Sequence, residues 1–146
     1  MGQVNVELNL KNAGDIVKAE NAFIKEQDIR QLAVEAFVDT GAGTLVINEE
    51  IRQKLGLAVK SEGYATLGNG SKVMCQRAEP VEIWWQNRFT TCHPVVLQSS
   101  EEVLLGVIPL EDMDLMVDPV RQTLTGAHGD EVVYMVRSAF LYEVRI

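Results

Sequence analysis

The sequence predicts a mainly β fold with one or two short helices. Short apolar stretches with strand character recur along the chain, separated by turn-forming residues. Only two stretches carry helix caps and helical spacing. The chain has 146 residues, 47% of them hydrophobic and 23% charged, which fits a single globular domain (1–146) with its own core. Many short strands joined by turns favour a closed or sandwiched β architecture.

The first strand candidate runs from Val4 to Leu10, where apolar and polar residues alternate with the period of two expected of a half-buried strand. Asn12 to Asp15 supply turn chemistry directly after it, so we expect a turn there. Trp84 and Trp85 are adjacent in a later strand, so one should pack in the core while the other faces outward. The further predicted strands are 32–38, 64–67, 72–75, 81–85, 89–92, 95–97 and 103–105.

Two helices are expected. In the first, Asn48 can cap the N-terminus, two glutamates follow at the positive end of the helix dipole, and Gly56 can end the helix. The second is predicted to begin at Pro109, which a first helical turn accepts, and to continue to about Asp114. It must end before Val117-Asp118-Pro119, because a residue preceding proline is pushed out of helical conformation.

Charge and composition exclude several classes of function. A net charge of −8 and a pI near 4.7 disfavour nucleic-acid binding, which needs clustered lysines and arginines. No stretch approaches the length of a membrane span, and no apolar leader follows a basic start, so we expect a cytoplasmic protein without membrane contact. In that compartment Cys75 and Cys92 should be reduced thiols.

Asp39 is the candidate catalytic residue. It ends an apolar run and is followed by Thr40-Gly41, then by a second apolar run. Hydrolysis by an activated water needs one group that takes a proton and another that supplies one, and two adjacent carboxylates sharing a proton can do both. The motif occurs once in this chain, so the second carboxylate would come from a second copy across a two-fold axis. Gly41 would let two backbones approach closely, and the Thr40 hydroxyl could brace the loop.

Asp-Thr-Gly alone is a weak signal, and a strand that ends in an Asx turn would explain it without any function. Its context is more specific. The stretch "FVDTGAGTLVI" resembles the active-site loop of the retropepsin-like (clan AA) aspartic peptidases. In that family a later strand ends in two hydrophobic residues and a glycine that wrap against this loop, and Leu104-Leu105-Gly106 match this element, with the predicted helix at Pro109 following.

The family also carries a hairpin flap between these two elements. The stretch "ATLGNGSKV" matches it in position, and Asn69-Gly70 predicts a type I′ turn at its tip. Asn-Gly turns also end ordinary hairpins, as Leu-Leu-Gly can end an ordinary strand; it is the order of the three elements, over about residues 32–118, that carries the resemblance. The stretch "LLGVIPLEDMDLMVDP" is most similar to the free-standing prokaryotic members.

The resemblance implies a retroviral-protease-like half-barrel that acts as a homodimer on peptide or protein substrates, without metal or other cofactor. It implies catalytic roles for Asp39, Thr40 and Gly41. It further implies structural support from Leu104, Leu105 and Gly106, and substrate contacts from Ala42, Gly43, Leu67, Gly68, Asn69 and Gly70.

The sequence departs from the viral members of the family in its dimer supports. Those members carry acids just after the loop and an arginine after the late glycine, whereas this chain has Gly43, Thr44 and Val107 there. A dimer must therefore be held differently. The chain ends are candidates, but "YMVRSAFLYEVRI" has no clear family signature, and residues 137–146 could be a strand or a tail.

Two alternatives to a general endopeptidase stay open. The same fold could be a non-catalytic module that binds a peptide or protein, or it could act only on its own termini or on one dedicated partner. Other hydrolase classes lack their minimum motifs, since neither His-Glu-x-x-His nor Gly-x-Ser-x-Gly occurs. Cys92 and His93, adjacent in a strand, should face opposite sides, which disfavours a shared metal site.

Overall fold

The computed structural model describes residues 3–134 and 136. The helices are α1 (Ala13–Glu20), α2 (Glu49–Leu55) and α3 (Val107–Asp112), with a 3-10 turn at Glu26–Asp28. The strands are β1 (Asn5–Asn12), β2 (Gln31–Val38), β3 (Leu45–Ile47), β4 (Val59–Thr66), β5 (Lys72–Ala78), β6 (Val81–Trp85), β7 (Arg88–Cys92), β8 (Val95–Val96), β9 (Val103–Leu105), β10 (Leu115–Asp118) and β11 (Thr123–Gly126).

Strands β1 to β9 form one sheet in the order β4-β5-β8-β3-β9-β2-β1-β6-β7, and β10 and β11 form a separate hairpin. The large sheet curls into a half-barrel. Its inner face supplies one apolar core, in which residues from distant strands of the sheet order, such as Leu8, Leu45, Ile83 and Val96, are almost completely buried. The prediction of a mainly β half-barrel with few helices is therefore confirmed.

The predicted strands all exist, and the bounds of β6 and β9 match the prediction. The short strand β3 and the hairpin β10–β11 were not predicted. The predicted turn at Asn12 to Asp15 is wrong, because these residues start α1: the Asn12 Oδ1 accepts a hydrogen bond from the Asp15 backbone N–H at 2.9 Å and caps the helix. Asparagine, glycine and aspartate serve both turns and helix starts, so their presence alone could not distinguish the two.

Helix α2 forms as its capping residues predict. The Asn48 side chain accepts a hydrogen bond from the Ile51 N–H at 2.9 Å, and Gly56 ends the helix at a φ of +65°. Helix α3 begins at Val107, two residues earlier than predicted, because Gly106 takes the N-cap position and Pro109 lies within the first turn.

The hairpin β10–β11 is tied to the sheet by Arg88, a buried residue at the start of β7. Its guanidinium donates hydrogen bonds to the carbonyl oxygens of Met113, Asp114 and Gly129. The planar fork of an arginine can satisfy several carbonyls at once, which a lysine cannot do with the same geometry. One side chain thus fixes the segment that follows α3 against β7.

The two tryptophans divide as predicted. Trp85 packs against the core, whereas Trp84 stacks on Phe89 with the ring centroids 4.9 Å apart and has the Lys11 ammonium 5.2 Å from its ring. Cys75 and Cys92 are both free thiols, also as predicted. Within residues 3–134 and 136, no helix has the length and apolar character needed to cross a membrane. The predictions for 137–146 lie outside the described residues.

Candidate active site

Asp39 directly follows β2, at the point where three strands meet. Strand β9 pairs with β2 in parallel and with β3 in antiparallel orientation, so it lies between them. The connection from β2 to β3, which we call the Asp39 loop (residues 39–44), therefore has to cross the end of β9. The Asp39 N–H continues the ladder by donating to the Leu105 carbonyl at 3.0 Å. The sheet thus fixes the backbone of this aspartate.

The carboxylate of Asp39 is oriented by its own loop. Its Oδ1 accepts a hydrogen bond from the Gly41 N–H at 2.9 Å, while the Ala42 N–H donates to the Asp39 carbonyl at 3.0 Å. This is the Asx turn that a purely structural interpretation predicts. It leaves the half-buried carboxylate facing a groove, so the turn also positions the acid.

Gly106 packs against the Asp39 loop. A Cβ at this position would lie 2.4 Å from the Thr44 carbonyl oxygen and 2.6 Å from that of Ala42. Cβ atoms in proteins essentially never come this close to a backbone oxygen. The Val107 N–H donates to the Ala42 carbonyl at 2.9 Å, and the Ile108 N–H donates to the Gly43 carbonyl at 3.1 Å. The end of β9 and the first turn of α3 therefore hold the loop through backbone contacts that only glycine permits.

A groove of about 950 Å³ separates the Asp39 loop from the β4–β5 hairpin. It brings together most of the predicted site residues from the loop, the hairpin and β9: Asp39, Gly41, Ala42, Gly43, Leu67, Gly68 and Leu104. It does not include the exposed loop residue Thr40, the hairpin-tip residues Asn69 and Gly70, or the buried residues Leu105 and Gly106. The last two contact the loop from behind instead.

The hairpin tip differs from the type I′ turn predicted for it. That turn needs a positive φ at both central residues, but only Gly70 has one, at +85°. The Gly70 N–H donates to the Leu67 carbonyl at 2.9 Å, and the Leu67 N–H donates to the Ser71 carbonyl at 2.8 Å. The tip is thus a turn over Leu67 to Gly70, and Gly70, its last residue, is in the left-handed conformation. The Asn69 side-chain oxygen accepts hydrogen bonds from Ser71, and the predicted type I′ turn does not form.

Other residues that line the groove were not predicted. They come from the Asp39 loop, from the end of β7 onward and from neighbouring strands: Thr44, Val46, Ala65, Thr66, Arg77, Cys92, His93, Val95, Leu97 and Ile108. Cys92 ends β7 and packs against the core, and both Cys92 and His93 contribute to the lining of the groove, so their expected separation on opposite faces stays a prediction. No local sequence signal marks these positions, since strand pairing brings them here.

The charges in the groove are few. Of the described residues that line it, Asp39 is the only acid and Arg77 the only arginine or lysine. Burial raises the pKa of the Cys92 thiol, although a hydrogen bond with Thr44 opposes the shift, so this cysteine stays protonated and unreactive at neutral pH. Residues 3–134 and 136 contain no cluster of three or more histidine, cysteine, aspartate or glutamate side chains that could hold a metal ion.

A family comparison agrees with this geometry. The model of the gag-polyprotein putative aspartyl protease family matches residues 26–112, more than half of the chain. The chain belongs to this aspartyl protease family. The matched range includes the Asp39 loop, the β4–β5 hairpin and Gly106, the segments on which the resemblance rests.

A solved structure with a TM-score above 0.5 shows the same retroviral protease-like fold. The retroviral protease-like domain of Ddi1 from Leishmania major is similar to this aspartyl protease family member with a TM-score of 0.55 and 17% sequence identity, covering 93% of this chain and 95% of that chain. A retropepsin-like aspartic protease from Rickettsia conorii has a TM-score of 0.43 and 16% identity, covering 81% of this chain and 89% of that chain. No curated protein sequence matches the chain.

Proposed function

We propose that this protein is an aspartic endopeptidase in which Asp39 from each of two identical chains holds the attacking water. The observation that carries the proposal is the position of Asp39, at the edge of a groove, on a loop that β9 and α3 lock in place. Membership of an aspartyl protease family supports it. We assign the whole chain to this one activity, with its core at about residues 32–118.

The second acid is the reason to propose a homodimer. Two carboxylates are needed to take and supply a proton in the same step, and Asp39 is the only acid among the described residues that line the groove. Thr40 and Gly41 are exposed beside it, so a second copy can approach this side of the loop. A two-fold axis next to Asp39 would bring the two carboxylates together.

In the proposed reaction, the ionised carboxylate of the pair takes a proton from the water as it attacks the scissile carbonyl. The protonated carboxyl donates to the carbonyl oxygen and later assists departure of the amine. Thr40 and Gly41 position the pair.

The substrate would bind as an extended strand between the groove floor and the β4–β5 hairpin. Backbone hydrogen bonds would provide affinity, and alternate side chains would enter pockets that set preference. Leu67 to Gly70 at the hairpin tip would close over the peptide and exclude water from the reaction. Ala42 and Gly43 leave space beside the carboxylates, since a Cβ at Gly43 would meet nothing within 4 Å.

The proposal is tested with a diverse peptide mixture incubated from pH 4 to pH 7 with the wild-type protein and with Asp39→Asn. New peptide termini are identified by mass spectrometry. We expect cleavage by the wild type that the variant loses by a factor of at least about 10³, since the general base and acid are removed together. Unfolding curves of both proteins control for loss of structure.

Cleavage that persists in Asp39→Asn would overturn the proposal. If neither protein cleaves while both fold, the non-catalytic binding module becomes the better explanation, and peptide affinity becomes its test. Cleavage of only one peptide sequence would indicate a dedicated substrate within the same mechanism.

A further inference from the structure

Four side chains form a row across the floor of the groove, which we call the floor row: Leu104, Val46, Val95 and Arg77. Val46 pairs with Leu104 of β9 on one side and with Val95 of β8 on the other, and Val95 pairs with Arg77 of β5. Directly paired residues in a sheet project to the same face. All four line the groove.

The chain neighbours of the floor row project to the opposite face. Leu45, Ile47, Val96 and Ala78 are fully buried in the core. Because successive side chains of a strand point to opposite faces, the side chains of the floor row point into the groove. Arg77 occupies its outer end, next to the exposed start of the β4–β5 hairpin.

Arg77 is held in place but not neutralised. Its Nε donates a hydrogen bond to the His93 carbonyl at 3.1 Å, and Arg77 is exposed to solvent. None of the ion pairs among residues 3–134 and 136 includes it. The remaining donors of its guanidinium are thus available to a carboxylate, which this fork binds in a favourable geometry.

The positive charge of Arg77 contrasts with the negative net charge of the whole chain. The chain has a net charge of −8, which repels acidic peptides in general. A preference for an acid at one peptide position therefore needs a local group that binds a carboxylate, as the Arg77 guanidinium can. Three floor-row positions are apolar and the fourth is cationic, so the floor is complementary to a peptide with apolar side chains followed by one acid.

We propose that Arg77 is a specificity-determining residue that selects a glutamate or aspartate in the bound peptide. Arg77 lies three strand spacings from Leu104, about 14 Å, which equals about four residues of an extended peptide that follows the row. The selected acid therefore lies about four residues from the side chain that contacts Leu104. This inference rests on the proposed function only in its use of the groove as a peptide site.

The test measures binding and cleavage separately. The probes are fluorescein-labelled apolar decapeptides in which glutamate, glutamine or lysine replaces each position in turn. Affinity is measured at pH 7 by fluorescence anisotropy with the non-cleaving Asp39→Asn protein, alone and combined with Arg77→Glu or Arg77→Gln. Arg121→Glu is the matched control, since Arg121 is exposed on the β10–β11 hairpin and lies outside the groove. Thermal unfolding verifies that each variant folds.

We expect tighter binding of glutamate than of lysine at one position, by about tenfold, because an attraction is compared with a repulsion. Arg77→Glu should reverse this ratio, Arg77→Gln should bring it near one, and Arg121→Glu should leave it unchanged. The same glutamate-to-lysine ratio with and without Arg77 would overturn the inference. Equal dependence on Arg77 and Arg121 would also overturn it, since it would reflect net charge.

Cleavage of the same peptides by proteins that retain Asp39 distinguishes the two proposals. Asp39-dependent cleavage with a ratio that ignores Arg77 refutes only the inference. An Arg77-dependent binding ratio without any cleavage refutes only the peptidase and keeps Arg77 as the selector of a binding module. Absence of both refutes both proposals.

Discussion

At Gly106 the lack of a side chain lets the end of β9 approach the Asp39 loop closely. At Gly106 a side chain would collide with the backbone of Ala42 and Thr44, and backbone cannot move aside as a flexible side chain can. We expect Gly106→Ala to lower the free energy of unfolding by about 2–4 kcal/mol, because the Asp39 loop must shift or the strand must bend. Urea unfolding measures this change.

Gly63→Ala is the control for Gly106→Ala. A Cβ at Gly63, in β4, would meet nothing within 4 Å, so this variant should unfold within about 0.5 kcal/mol of the wild type. Because the same collision would displace the Asp39 loop, we also expect Gly106→Ala to lose peptide cleavage under conditions where it is still folded. Wild-type stability in Gly106→Ala would show that the loop adapts and that the late glycine has no locking role.

The sequence could predict Asp39 and its loop as a candidate site because their chemistry is local. An acid, a small residue and a glycine in succession have a physical meaning wherever they occur at the end of a strand. Arg77 has no such signal. Its proposed role depends on the pairing of β5 with β8 and of β8 with β3, contacts between segments that are far apart in sequence. The local pattern of one segment does not specify which distant strand becomes its neighbour in the sheet.

At the scale of elements, α1 is fastened to the sheet by an ion pair. The buried Asp15 accepts hydrogen bonds from the backbone N–H, Nε and Nη2 of Arg30, at 2.8–3.0 Å. Arg30 directly precedes β2, so the pair connects the helix to the strand that leads to Asp39. These bonds hold the pKa of Asp15 below its ordinary value, mainly through the Arg30 side chain and against the opposing effect of burial.

This shift predicts how stability depends on pH. Because the pKa of Asp15 is lowered on folding, the pair stabilises the fold above the ordinary pKa of 3.8, and this contribution is lost as the pH falls through the lowered value. Asp15→Asn should therefore lower the free energy of unfolding by about 1–2 kcal/mol at pH 7. This is a small effect for a buried carboxylate, because Arg30 is half exposed and water screens the pair. The cost should shrink between about pH 5 and pH 2.

Denaturant unfolding of wild type and Asp15→Asn across this pH range measures the difference. Glu50→Gln is the control, because Glu50 and Lys54 form an exposed pair within one helix, which should contribute less than about 0.5 kcal/mol. A difference between wild type and Asp15→Asn that stays constant from pH 7 to pH 2 would contradict the assignment to the ionised carboxylate.

The two helices α1 and α2 show where sequence patterns suffice. Both begin with an asparagine cap, but α2 continues with two glutamates and ends at Gly56, so several signals agree. Helix α1 contains Gly14 and has no glycine at its end, and its start resembles a turn. Strand β3 has only three residues, all of them buried, and three residues are too few to show a period.

At the scale of the whole molecule, the sheet order explains why an acid lies beside a groove. Strand β9, late in the chain, inserts between β2 and β3, which are adjacent in sequence. The Asp39 loop must therefore connect two strands that do not pair with each other. This connection lies outside the sheet, beside the groove. The three short motifs of the sequence predict this arrangement through the family resemblance, because no single motif specifies a parallel pairing of β2 with β9.

The last prediction follows from the proposed homodimer. If each site needs Asp39 from two chains, a dimer of one wild-type and one Asp39→Asn chain has a single carboxylate and should not cleave. With equal amounts of both chains, exchanged at concentrations where dimers are saturated, half of the wild-type chains enter mixed dimers, so activity should fall to about half that of the same wild-type protein alone. An equal amount of Asp39→Asn added after dilution, before subunits can exchange, should have no effect. Peptide cleavage rates measure both conditions, and undiminished activity in the exchanged mixture would show that one chain forms the complete site.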